Sequence, residues 1–422
     1  MSSWRVAWRP GDRAFGAAFG AAYFAVKTGT DTGYPAILSG GTGCPSYNGG
    51  MTSVEVAVRG TGAVGLSLAL ALSRLGLGVG LPTGAIQAPS DAARGDVRAY
   101  ALNSASSLLL TSLKVWDALP ADAITAVEDM RVVGDAESGR LEFSAWQQGV
   151  PALAWIVDAA ELDNALRTAL RFAPHVRAIA DGDSAELTVL AEGKDSDGRR
   201  AHGVAWQPQA YGHTALAARL VADQPHANTA CQWFASPDVL ALLPLDRPAP
   251  GASYALVWSM PTDRAERLLA MPQAEFEAEL NAVCANRVGP LRLVSQRAAW
   301  PLALAQADPV CGPGWALVGD AAHTIHPLAG QGLNLGLADV AALTRAIAER
   351  EPWRALGDET LLRRYARARA LPNRAMALLT DSLLRLFAAE QPLVRELRNR
   401  GMTLLNRLAP LKRALTARAM GN

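Results

Sequence analysis

Val54-Glu55-Val56-Ala57-Val58-Arg59-Gly60-Thr61-Gly62-Ala63-Val64-Gly65, followed by the apolar run Leu66–Leu75, Gly76 and Leu77–Leu81, decides the fold of the first half of the chain. Val54, Val56 and Val58 alternate as a short β-branched strand. Leu66–Leu75 reads as a helix that Gly76 ends, and Leu77–Leu81 reads as a second strand. Strand, glycine turn, helix and strand are the order a dinucleotide fingerprint requires. Its glycines permit a tight turn and close approach of backbone to a pyrophosphate, while the first N–H groups of the helix face the phosphates. A Gly-rich turn without a ligand is the competing reading. Two positions depart from the pattern. Leu81-Pro82-Thr83 stands where an acidic residue ordinarily holds the adenosine ribose, and Arg59 directly precedes the turn.

A second strand end lies in Trp315–Asp339. Ala316–Val318 reads as a buried strand, and Gly319-Asp320 places a carboxylate at its carboxyl edge, where α/β sheets bind ligands. A loop with Pro327, Gly330 and Gly332 follows. A helix then starts near Leu333, with Leu333, Leu337, Val340 and Ile347 on one face. Two nucleotide-type strand ends far apart in sequence suit a cofactor longer than one dinucleotide half. In FAD, the diphosphate lies at the first glycine turn and the ribityl chain runs to a second strand end. There Asp320 accepts hydrogen bonds from ribityl hydroxyls. The next helix aims its N-terminal N–H groups at the flavin ring, and one helix end stabilises the charge of the reduced ring by about 1 kcal/mol.

The rest of the chain bounds this reading. Its 422 residues, half of them hydrophobic, carry a formal net charge of +1, which excludes disorder as the main state and bulk-charge nucleic-acid binding. Cys44, Cys231, Cys284 and Cys311 lie far apart, so no metal site or disulfide framework is expected, and a reducing cytoplasm fits best. Residues 1–51 read as a disordered or non-native extension before Met51, in preference to a signal peptide. No membrane span is expected, because the apolar stretch Gly62–Leu81 contains Arg74 and several glycines. Residues 121–151 and 198–297 carry short alternating runs such as Arg140–Ala145 and Tyr254–Met260, which suggest an antiparallel sheet. Asp158–Leu170 reads as a helix. Arg98 either reaches a cofactor edge or stays on the surface. Within 382–422, Arg385, Arg395, Arg398, Arg400, Arg407, Lys412, Arg413 and Arg418 lie among spaced leucines. That helical segment either rests on an anionic membrane or packs on the first domain, with packing slightly preferred.

The run His326-Pro327-Leu328-Ala329-Gly330-Gln331-Gly332-Leu333-Asn334-Leu335-Gly336 with Asp339 resembles the GD motif and following helix of the flavin aromatic hydroxylases. It is similar, nearly residue for residue, to the ubiquinone-biosynthesis hydroxylases (the UbiH/UbiF/UbiI type). Asp96–Leu102, Cys231–Phe234, Leu242–Leu245 and Tyr254–Ser259 also resemble that family, and the likeness covers about 52–422. It implies an α/β protein with a Rossmann-like FAD-binding domain assembled from 52–120, 152–197 and 298–372. It further implies an antiparallel β-sheet substrate domain, 121–151 and 198–297, and C-terminal helices over 373–422. Gly60, Gly62 and Gly65 are then expected at the diphosphate, Arg98 on FAD, Gly319 and Asp320 at the ribityl chain, and Gly330, Gln331, Gly332, Leu333 and Asn334 around the isoalloxazine. Pro327 and His326 are the catalytic candidates; His323 and His326 flank the GD loop, where holding its shape is the alternative role.

The implied reaction is hydroxylation of a polyprenyl phenol or quinone precursor with NAD(P)H and dioxygen, through a C4a-hydroperoxyflavin. The implied protein is cytoplasmic, with contact at the inner face of the membrane or with a quinone-biosynthesis complex as a further expectation. A hydroxylase of a soluble aromatic acid and a non-catalytic flavin-binding subunit are the alternatives. The chain departs from the family at Glu192-Gly193, where an Asp-Gly pair is usual.

Overall fold

The computed structural model describes residues 54–85, 95–134, 139–180, 183–285, 287–324 and 331–388. The N-terminal extension, the catalytic candidates His326 and Pro327, Gly330 and the basic segment after 388 lie outside the described residues.

The first sheet contains β1 (Val54–Arg59), β2 (Val79–Pro82), β8 (Val176–Ile179), β9 (Ala185–Leu190), β17 (Cys311–Gly312) and β18 (Trp315–Leu317). Its order is β17-β18-β9-β1-β2-β8. All neighbours from β18 to β8 are parallel, with Val56 opposite Val79 and Val58 opposite Val189. A parallel sheet is covered on both faces, and Val56, Val58, Leu187 and Val189 are accordingly buried. From β1 the chain moves to β2 on one side, while β9 and β18 lie on the other. This reversal opens a crevice at the carboxyl ends of β1, β9 and β18.

Helix α1 (Ala63–Arg74) is buried from Gly65 to Ser73, as an apolar helix between layers must be. Helix α2 spans Ser104–Ser112. In α3 (Ala159–Arg171), Asp158 is the N-cap and accepts the N–H groups of Ala160 and Glu161. Leu66, Leu68 and Leu72 of α1, Leu162 and Leu166 of α3, and Leu337, Val340 and Leu343 of the later helix share one core. Burying each such side chain contributes about 1.5–3 kcal/mol.

The large sheet comprises β5 (Asp129–Val133), β6 (Arg140–Ser144), β10 (Ala205–Trp206), β11 (Gln209–Ala222), β12 (Thr229–Ala235), β13 (Asp238–Leu245), β14 (Ser253–Pro261), β15 (Leu291–Leu293), β16 (Ala298–Asp308) and β19 (His323–Thr324). It is antiparallel as expected, apart from one parallel pair, β5 with β12. Trp233 and Phe234 are buried in different apolar clusters, as strand alternation requires. Helices α5 (Thr262–Ala270) and α6 (Gln273–Cys284) cover one face around Trp258, Phe276 and Leu280. Strand β16 starts at Ala298, where the sequence reading resumes the first domain; it hydrogen-bonds along β11 and then delivers the chain into β18. A third sheet joins β3 (Ala99–Leu102), β4 (Ile124–Val127) and β7 (Ala154–Asp158). A short helix α4 (Asp197–Ala201) follows β9. Helix α7 (Gln331–Ala348) begins two residues before the expected start near Leu333. The long helix α8 (Glu359–Ala388) runs through the residue 372/373 division.

Candidate functional site

The first glycine turn is built from backbone. Gly60 has φ +133°, and a Cβ there would lie 2.1 Å from the Ala191 carbonyl oxygen, so only glycine joins the β1 and β9 ends this closely. Gly65 packs the first turn of α1 onto the same place, its Cβ position 2.7 Å from the Gly60 oxygen. Among the described residues, nothing lies within 4 Å of the Cβ position of Gly62. Gly62 is the N-cap of α1 and offers no side-chain cap, and no acid stands in the first helical turn. Among the described residues, the early N–H groups therefore meet no capping side chain and no acid of the first turn, which suits a diphosphate.

The second turn lies against the first. Gly319, φ +62°, leaves β18, and a Cβ there would meet Val64 Cγ1 of α1 at 3.2 Å. A Cβ on Gly336 of α7 would come within 2.5 Å of Val64 Cγ2 and 3.3 Å of the Gly319 Cα. Small residues thus bring both fingerprints onto one crevice edge. Asp320 is partly exposed there, and no hydrogen bond to its carboxylate is found among the described residues. Burial pushes its pKa up, while His323 and Lys194 pull it down. A carboxylate with free acceptor sites in a semi-enclosed crevice suits a chain of hydroxyls. The donor set, the open cradle and the shared edge fit FAD.

The FAD binding domain model matches residues 156–380 of the chain. The ubiquinone hydroxylase UbiL of Rhodospirillum rubrum is 32% identical over 352 residues, covering 78% of this chain and 81% of the relative. The chain belongs to the ubiquinone-biosynthesis family of FAD-dependent hydroxylases. The 3-demethoxyubiquinol 3-hydroxylase of Escherichia coli is 31% identical over 394 residues, 87% of this chain and 98% of the relative. The solved p-nitrophenol 4-monooxygenase PnpA of Pseudomonas putida shares the fold, with a TM-score of 0.68 at 18% identity over 88% of this chain and 99% of that one. The protein is a FAD-dependent monooxygenase; NAD(P)H as reductant is typical of such enzymes.

Within this hydroxylase, the other expected site residues have distinct surroundings. Gln331, Gly332 and Leu333 open α7, and among the described residues nothing lies within 4 Å of the Cβ position of Gly332. Asn334 is buried and fully engaged. Its Oδ1 accepts the Asn103 N–H at 3.0 Å and the Ser106 hydroxyl at 2.7 Å, and its Nδ2 donates to the Ala101 oxygen at 2.8 Å. Its side chain therefore fastens β3 and α2 to the start of α7. Arg98 is half exposed and forked onto Asp96, its guanidinium 6.0 Å from the ring centres of both Tyr100 and Trp300. That hydrogen bond holds the Arg98 pKa above its ordinary range. Glu192, the departure from Asp, accepts the Ser196 hydroxyl at 2.5 Å and the Gly198 N–H at 2.9 Å, closing the loop after β9. At the end of β2, the Thr83 hydroxyl donates to the Ile179 oxygen at 3.3 Å.

Two arginines that sequence reasoning passed over border the crevice. Arg167 of α3 pairs with Asp163 and donates to the carbonyls of Ala85 and Thr61, the latter inside the first glycine turn. Its i,i+4 acid marks it in sequence as an ordinary surface pair. Arg199 is 2% exposed and bridges the two loops, donating to the Ala321 oxygen at 2.9 Å and the Lys194 oxygen at 2.6 Å. Its guanidinium lies 3.7 Å from the Trp206 ring centre. Burial lowers its pKa.

Among the described residues, no helix is long and apolar enough to cross a membrane, and no group of three His, Cys, Asp or Glu is placed to hold a metal ion. Cys231 and Cys284 are buried, and burial pushes their thiols up to about 11 and about 12, so neither is a ready nucleophile at neutral pH.

Proposed function

We propose that this hydroxylase oxidises the aromatic ring of a polyprenyl phenol or quinone precursor, using NAD(P)H and dioxygen. The observation that carries the reading is the shared edge, with Val64 against both Gly319 and Gly336. The ubiquinone-pathway names of relatives over most of their length support the substrate class. When bound, FAD supplies dioxygen activation and delivery of one oxygen atom to the ring, the second leaving as water.

The chain's own residues bind, orient and exclude water. Gly60, Gly62 and Gly65 with the α1 N–H groups hold the diphosphate, and Asp320 accepts from the ribityl hydroxyls. Gln331–Asn334 present the α7 N-terminus to the ring system, where its partial positive charge favours the reduced form. Arg98, set between Tyr100 and Trp300, is assigned to the cofactor at the edge facing the large sheet. His326, Pro327 and Gly330 are assigned to the ring-facing loop on the strength of the motif alone. The large sheet serves as the substrate layer, and its apolar clusters keep water from the reacting centre. Contact with a membrane surface or a quinone-biosynthesis complex through the basic C-terminal segment belongs to the same proposal.

The test is reconstitution with FAD and assay of NADPH oxidation with prenylated phenols in detergent. Substrate-stimulated oxidation and a product heavier by one oxygen atom are expected. Rapid flavin bleaching by NADPH without any hydroxylated product overturns the substrate assignment, and no bleaching at all favours a non-catalytic subunit.

A further inference from the structure

Behind the Gly319 turn lies a buried charge cluster that none of the assigned cofactor contacts uses. Asp339 of α7 is completely buried. Its Oδ2 accepts the Gly319 N–H at 2.9 Å and meets His323 Nε2 at 2.6 Å. Its Oδ1 accepts the Arg369 Nε–H at 2.6 Å. Arg369 Nη2 continues to Asn373 Oδ1 at 2.7 Å and to the Leu335 oxygen at 3.3 Å. One helical turn earlier, the Tyr365 hydroxyl donates to the Leu317 oxygen at 2.7 Å. Tyr365, Arg369 and Asn373 follow an i, i+4, i+8 spacing, so one stripe of α8 grips the end of β18 and the first half of α7.

The arrangement places one buried carboxylate between two cations of different kinds. A guanidinium keeps its charge throughout the working range, whereas an imidazolium surrenders it near neutrality. The groups facing His323 are Asp339 from α7, Arg369 from α8 and Asp320 from its own turn. Burial disfavours the His323 imidazolium, but the charge and hydrogen bond of Asp339 outweigh it and raise the net value. His323 also lines a cleft of roughly 240 Å³ with Gln207, Gln209, Gln306 and Asn373. Were His323 the sole partner, its deprotonation would leave Asp339 ionised and unpaired in the core, a strongly unfavourable state. Arg369 removes that dependence.

We propose that Arg369 is a positioning residue of the flavin site: acting through Asp339, it keeps the Gly319–Asp320 turn in its FAD-binding geometry whether or not His323 is protonated. The proposal rests on the reading of this turn as the ribityl site. It links α8 to a cofactor it does not touch.

The test is FAD titration of the deflavinated full chain, followed by flavin fluorescence from about pH 6 to about pH 9, which covers the ordinary histidine range and the region above it toward which His323 is raised. Wild type and Arg369→Lys are expected to give Kd values nearly independent of pH. For Arg369→Met, Kd is expected to rise about tenfold toward the alkaline end, the scale of one lost charge-assisted contact. Adding Asp339→Asn removes the charge that needs compensating and is expected to abolish that slope. A Kd for Arg369→Met that is unchanged, or raised equally at every pH, overturns the proposal, because a merely structural arginine gives the latter. Should Arg369→Met fail to fold, Arg369→Gln discharges the position while keeping a hydrogen-bond donor beside Asp339; a Kd that rises toward alkaline pH supports the proposal, and one unchanged or raised equally at every pH overturns it. Failure of the ribityl reading is seen separately, as unchanged FAD affinity in Asp320→Ala.

Discussion

The two turns that meet at Val64 are built by opposite means. The turn at Gly60–Gly65 is neutral and local: its shape follows from missing side chains and from the start of α1. The turn at Gly319–Asp320 is held by charge from a distance, through Asp339 on α7 and Arg369 on α8. The first must leave backbone N–H groups bare, so any side chain is an obstruction. The second must hold a carboxylate in a crevice that resists its ionisation, and a buried counter-charge network does so without occupying the crevice. Glycine spacing suffices for one, while the other needs several elements to converge.

The sharpest way to break this comparison is Gly60→Ala. The added Cβ meets the Ala191 oxygen at 2.1 Å from a backbone at φ +133°. A loss of about 3 kcal/mol or more is expected, visible in thermal melts of the apoprotein, together with absence of flavin. Asp339→Ala attacks the other turn, leaving Arg369 and His323 buried without their carboxylate. It is expected to cost about 3–5 kcal/mol in chemical denaturation. Gly62→Ala and Asp320→Ala separate binding from stability. The Gly62 site has room for a methyl group, so the apoprotein melts as wild type while FAD affinity falls about tenfold or more through lost backbone approach. Asp320→Ala weakens FAD binding by a similar factor of about ten, since ribityl hydroxyls lose their acceptor. Its apoprotein is no less stable, because burial already opposes that charge.

A smaller effect is expected in the pH dependence of stability. The raised His323 value means that its contribution is complete below the ordinary histidine range and is lost as pH rises through the folded value. Asp339, held down by His323 and Arg369 despite burial, contributes above the ordinary carboxylate range and loses that contribution as pH falls through the lowered value. Apoprotein melts are therefore expected to weaken on both flanks. Substitution His323→Asn is expected to flatten the alkaline flank and to shrink the acid one, since Asp339 then keeps only Arg369 to hold its value down. The smallest expected change is Arg167→Met, a loss of FAD affinity of about threefold that shrinks with added salt, since this cation lies at the edge of the first turn.

The sequence alone determined what depends on near neighbours along the chain. The β1–α1–β2 order was legible from alternating valines, spaced glycines and an apolar run. The α3 start followed from Asp158, now seen as its N-cap. Leu337, Val340 and Ile347 marked the buried stripe of α7. Each glycine motif was legible as a turn of its own, and the structure sets the two against Val64. What only the tertiary structure decided is which distant groups serve those turns. Arg167, Arg199 and Arg369 sit in helices where an arginine ordinarily meets solvent, and nothing in their spacing names a carbonyl or carboxylate on another element. The side-chain amide of Asn334 is taken by Ala101, Asn103 and Ser106, contacts that no spacing in the sequence names. Periodicity encodes which face of an element is apolar. Pairing between buried polar groups depends on where two elements cross, and that is settled only when the layers pack.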